Sequence, residues 1–114
     1  MSLETRPAEV EAEVAFWALL GFARIVAPEG LRERAAWLAS GATQVHLLFA
    51  EEPVVPREGH VAVVCEAYES TLAALRAAGF TVEPRAEHWG AARAYVRSPG
   101  GHRVEVMAAP PPGA

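Results

Sequence analysis

Leu20-Gly21-Phe22 and Ala78-Gly79-Phe80 stand 58 positions apart (79 − 21 = 58) and close two similar stretches of sequence. Ahead of each lies an apolar run with helical spacing. Behind each comes a β-rich run ending near a proline, Arg24-Ile25-Val26-Ala27-Pro28 in one case and Thr81-Val82-Glu83-Pro84 in the other. A repeat of this length within 114 residues predicts two copies of one supersecondary unit. It also supplies a ruler, because an oddly polar strand position in one copy has a counterpart in the other.

Working outward from the two glycines, residues 9–20 read as a helix with Val10, Val14 and Trp17 on one face, widened by Phe16 and Leu20. Glu9, Glu11 and Glu13 sit in its first turns, where the helix dipole favours negative charge. Gly21 suits the left-handed residue that ends a helix. Residues 2–6 form a short first strand stopped by Pro7, and residues 22–27 a second. In the second copy, residues 60–66 are an apolar strand, 68–78 a helix with Tyr68, Leu72 and Leu75 buried, and 80–84 the next strand. Two further strands follow at 91–97 and 103–107, joined by a Ser98-Pro99-Gly100-Gly101 turn. In the first copy 44–49 is a clear strand. Residues 31–39, rich in Leu, Arg, Glu and Ala, favour helix by local propensity, whereas the repeat demands a strand over 34–40. The repeat is given precedence. The expected fold is α+β, two βαβββ modules (about 2–50 and 60–107) forming an open, mostly antiparallel, barrel-like trough. Residues 51–59 link the modules within one domain, and 108–114 form a flexible tail.

Composition narrows the function. A net charge of −4 without a basic cluster argues against a nucleic-acid surface. No apolar run is long enough for a membrane span, and no signal peptide is visible, so a cytoplasmic protein is expected. Cys65, the single cysteine, lies in an apolar run and reads as a small buried hydrophobe.

The ruler selects the chemistry. Shifting His60 back by 58 gives Ser2, and Val45-His46-Leu47 matches Val104-Glu105-Val106 at an offset of 59. His46 and Glu105 therefore point away from the layer their neighbours build. If the two sheets pair into a trough, Ser2, His46, His60 and Glu105 meet on its floor. Imidazoles with a carboxylate make a first shell for a divalent metal, although a serine hydroxyl is a poor ligand. Taken singly, a strand histidine is more often a hydrogen-bonded structural residue. Arg93, Tyr95 and Arg97 alternate with Ala92, Ala94 and Val96, so one face of that strand is polar and suits either an anionic substrate or solvent. Trp89 in the preceding loop could close over a ligand, and Trp37 stacks in the trough or fills the core. His102, in the turn, reads as exposed.

These stretches resemble the vicinal oxygen chelate superfamily, which groups glyoxalase I, bleomycin-resistance proteins, fosfomycin-resistance proteins and extradiol dioxygenases. The resemblance runs from about Ser2 to Met107. Its carriers are Ala15-Phe16-Trp17, Leu20-Gly21-Phe22, Val45-His46-Leu47-Leu48, His60-Val61-Ala62-Val63 and the closing Ser98-Pro99-Gly100-Gly101-His102-Arg103-Val104-Glu105-Val106. Ser98 stands where the family usually has an aspartate. The resemblance implies a homodimer of paired modules, with His60 and Glu105 on metal positions and His46 as a third ligand or acid/base residue. The first-strand ligand position falls on Ser2. Two functions follow as expectations. One is a lyase, isomerase or dioxygenase in which Zn, Mn, Ni or Fe chelates neighbouring substrate oxygens. The other is a metal-free, bleomycin-resistance-like binding protein holding a small molecule with Trp37, Trp89, Arg93 and Tyr95.

Overall fold

The structure, a computed structural model, describes residues 1–113. Ala114, the end of the expected tail, lies outside the described residues. The chain forms two βαβββ modules of identical strand order, and the fold is α+β. The first runs β1 (Ser2–Thr5), α1 (Val10–Leu19), β2 (Ala23–Ile25), β3 (Ala35–Ser40) and β4 (Thr43–Phe49). Its sheet has the order β1-β4-β3-β2, with β1 parallel to β4 and the other pairs antiparallel. The second runs β5 (Val61–Val64), α2 (Tyr68–Ala77), β6 (Val82–Arg85), β7 (Arg93–Arg97) and β8 (Arg103–Met107), ordered β5-β8-β7-β6. Neither sheet closes on itself. No helix is long and apolar enough to cross a membrane.

The repeated Leu/Ala-Gly-Phe stretches end their helices in the same way. Phe22 N–H donates to Trp17 O at 3.0 Å and Gly21 N–H to Ala18 O at 3.1 Å. Phe80 and Gly79 repeat the pair on Leu75 O and Arg76 O, each at 3.0 Å. The motif needs a left-handed residue after the helix, and Gly21 (φ 92) and Gly79 (φ 95) supply it.

By contact the chain divides into two compact units, Met1–Val55 with Pro99–His102, and Pro56–Ser98 with the segment from Arg103 onward. In the first, α1 packs on β2 and β3. Trp17 is wholly buried there and meets Phe16 and Phe22 edge-on, both at 5.4 Å. Leu38, Val45 and Leu47 form the sheet side of that core. In the second unit Leu72 and Leu75 of α2 lie buried together with Ala94, Val96, Val104 and Val106. Cys65 follows β5, is buried, and is tied down by its N–H to Met107 O at 2.9 Å. Burial pushes its thiol pKa up, against a smaller opposing effect of a hydrogen bond with Thr71.

Residues 35–40 are a strand, as the repeat demands; the helix-favouring residues before them leave only a 3₁₀ turn at Glu29–Leu31. Two expectations need correcting, the exposure of His102 and the register of the first strand, and the burial of Glu13 is a further finding. His102 is buried, and its Nε2 donates to Glu4 O at 2.7 Å. Glu13 is also fully buried: Trp17 Nε1 donates to its Oε1 at 3.2 Å and Gly100 N–H to its Oε2 at 2.7 Å. The first-strand ruler slips as well. Ser2 pairs with His46, whereas Glu105 pairs with Ala62, so Ser2 corresponds to Ala62 and not to His60. The interval from strand to helix-ending glycine is 21 − 2 = 19 residues in the first module and 79 − 62 = 17 in the second. The 3₁₀ turn at Pro7–Glu9 takes up the difference.

Candidate functional site

Strand alternation gives each sheet one apolar and one polar face. In the second unit Ala94, Val96, Val104 and Val106 are buried on the first, so Tyr95 and its ladder partner Glu105 share the second with Arg93 and Arg103. His60, just before β5, reaches the same carboxylate. Its Nε2 lies 2.9 Å from Glu105 Oε1, and its Nδ1 lies 3.0 Å from Glu58 O. The other oxygen, Oε2, accepts from Arg93 Nη1 at 3.2 Å. The Glu105 and Arg93 side chains are only 9% and 11% exposed, so this ion pair is shielded from water, while His60 at 28% forms its wetter end.

Arg93 is fixed along its length. Its Nε donates to Ala86 O at 2.8 Å, and its Nη1 approaches the Tyr95 hydroxyl at 3.4 Å. Hydrogen bonds to Tyr95 and then to Glu105 push its pKa further up, so the guanidinium is a permanent cation. Three guanidinium carbons surround the Tyr95 ring, Arg103 at 4.6 Å, Arg85 at 5.5 Å and Arg93 at 5.6 Å from its centre. The Trp89 indole N–H is engaged by Ala109 O at 3.0 Å, which ties the loop before β7 to the chain after β8.

In the first unit the polar face carries Trp37 and His46, ladder partners on β3 and β4. Their rings stack at 3.8 Å, 7° from parallel. His46 Nε2 donates to Gln44 Oε1 at 2.8 Å. Burial, and secondarily the Met1 ammonium, lowers the His46 pKa and favours the neutral ring. A neutral imidazole is the form a general base requires.

The residues suited to a metal were tested by their donors. A divalent ion needs a free imidazole lone pair and an unclaimed carboxylate oxygen. Both ring nitrogens of His60 face oxygen acceptors, and both oxygens of Glu105 are taken, one by a fixed cation. Among the described residues no three His, Cys, Asp or Glu side chains stand together as a possible metal site. The donor set as arranged does not fit a metal ion. The sequence brought out His60, Glu105, Arg93 and Tyr95 separately. It missed that Arg93, opposite Met107, reaches diagonally across the β7–β8 hairpin to Glu105, the residue opposite Tyr95, a meeting fixed only by the register.

The chain belongs to the Glyoxalase/Bleomycin resistance protein/Dioxygenase superfamily, whose family model matches residues 4–106. Among solved structures it is similar to a glyoxalase family protein from Bacillus anthracis, with a TM-score of 0.82 and 22% identity over 93% of this chain and 88% of that one. It is also similar to lactoylglutathione lyase from Agrobacterium tumefaciens (TM-score 0.68, 18% identity, 94% and 90% covered). A bleomycin-binding protein complexed with bleomycin gives a TM-score of 0.68 at 14% identity, with 96% and 95% covered. No curated protein sequence matches significantly.

Proposed function

We propose that this chain is a metal-free member of its superfamily that binds a small organic molecule without transforming it through a bound ion. The observation that supports this reading most is the Arg93 guanidinium on Glu105, its Nη1 3.2 Å from Oε2 of the carboxylate a metal would need. A fixed positive charge there repels a divalent ion. Trp37, Trp89, Arg93 and Tyr95 are the proposed ligand-binding side chains, and His46 braces Trp37. The protein is proposed to be cytoplasmic and homodimeric. The dimer reading rests on exposed Val64 of β5, an edge strand that presents unpaired backbone groups.

Calorimetric titration with Zn²⁺, Mn²⁺, Ni²⁺ and Fe²⁺ after chelator treatment tests it. The wild-type chain is expected to take up no stoichiometric metal. Arg93→Met, which frees Glu105, should raise metal affinity by about tenfold or more. Uptake of one equivalent by the wild-type chain would instead support the metal-dependent lyase, isomerase or dioxygenase, with His60 and Glu105 as ligands and His46 as base.

A further inference from the structure

A cavity of about 430 Å³ lies in the first unit, where the chain leaves β2 after Ile25, arches through Val26–Arg34 and returns at Ala35. We propose that this cavity binds an organic monoanion, an aromatic or aliphatic body carrying one carboxylate, with Arg32 as the anion's partner. The proposal rests on the reading of the chain as a small-molecule binder and adds a pocket beside Trp37, the one proposed ligand-binding residue that lines it, and the charge that pocket selects.

Its volume is in the range of small-molecule sites. The walls include Ile25, Val26, Ala27, Ala35 and Trp37, so water inside finds few polar partners. The three-residue strand β2 and the small side chains at 27, 35 and 36 leave the space unfilled. Val26, 78% exposed, is a bulky apolar residue that a ligand would cover. Trp37 is held still on its β4 side by the stacked His46, while its ladder partner on the other side is Ile25, itself a wall of the cavity. A flat apolar body therefore meets a rigid aromatic surface.

The lining has no acidic residue and two arginines, in a chain of net charge −4. Arg24 is already matched by Glu11 at 2.8 Å. Arg32 is anchored through Nε, which donates to Ala27 O at 2.9 Å, and pairs with no carboxylate among the described residues. One uncompensated guanidinium beside an apolar hollow selects one negative charge.

Calorimetry with 2-naphthoate, neutral 2-naphthalenemethanol and cationic 2-naphthylmethylamine tests the proposal. The expected order is naphthoate tightest, the alcohol at least tenfold weaker, and the amine weakest. Arg32→Gln should cost naphthoate at least tenfold and leave the alcohol unchanged. Val26→Glu, on the exposed rim and so tolerant for folding, should repel naphthoate selectively. Equal affinity for all three probes, indifference of naphthoate to Arg32→Gln, or no binding at millimolar concentration would each overturn it. Arg57→Gln, at an exposed position of the other unit, should bind naphthoate as the wild type does. Metal uptake by a wild-type chain that still prefers naphthoate would defeat the metal-free function and leave this site standing.

Discussion

Glu13 sits with no exposure to water beside Trp17, one helical turn further on, and holds two donors that would otherwise be orphaned. A glutamine in its place offers one carbonyl oxygen and turns an NH₂ group toward a second donor. Glu13→Gln is expected to lower stability by about 1–3 kcal/mol, measured by urea unfolding, and Glu13→Ala by about the same or more. A Cβ on Gly100 would come within 3.2 Å of Glu13 Oε2, so Gly100→Ala should destabilise through the same carboxylate. The sequence showed Glu13 as a first-turn acid. Its i, i+4 spacing to Trp17 was visible, but its burial depends on the Pro99–His102 turn far along the chain. His46 carries the pH prediction. Its folded pKa lies below the ordinary 6.5, so between the two values the unfolded chain binds more protons. Stability should therefore fall as pH drops below about 6.5 and level off beneath the folded pKa. An NMR titration of the His46 ring should give a midpoint under 6.5; a higher one would show that the stacked, hydrogen-bonded ring tolerates charge.

At the scale of elements, the repeated helix-ending glycines were the strongest signal, because the motif they close is local and needs a residue without a Cβ. Residues 35–40 show the opposite balance. Ala35, Ala36 and Leu38 have helical propensity, yet they sit buried in a sheet paired with β2 and β4. Tertiary pairing there outweighs preferences of a few tenths of a kcal/mol per residue. The first strand was placed correctly and aligned wrongly. Its alternation is legible, but the two extra residues before α1 are taken up in a 3₁₀ turn that propensity does not announce. The candidate site was legible as separate polar positions on apolar strands. Its closure by Arg93 was not, since nothing in the spacing from 93 to 105 says which residues face one another until the hairpin register is known.

For the whole molecule, the homodimer is tested by sedimentation velocity at micromolar concentration. A two-chain mass is expected, and Val64→Lys, which puts a charge on the exposed edge strand β5, should return a monomer with unchanged far-ultraviolet circular dichroism. A wild-type monomer would refute it. Cys65 has a consequence of another kind. It is the single thiol of the chain, buried and with its ionisation held back. An alkylating reagent reaches a thiolate there most readily in molecules whose second sheet has momentarily come apart around the end of β5. The protein thus carries its own clock. The rate at which it is labelled counts how often that sheet opens, and any ligand or partner that steadies the sheet will be read as a slowing of that clock, with no probe added to the molecule.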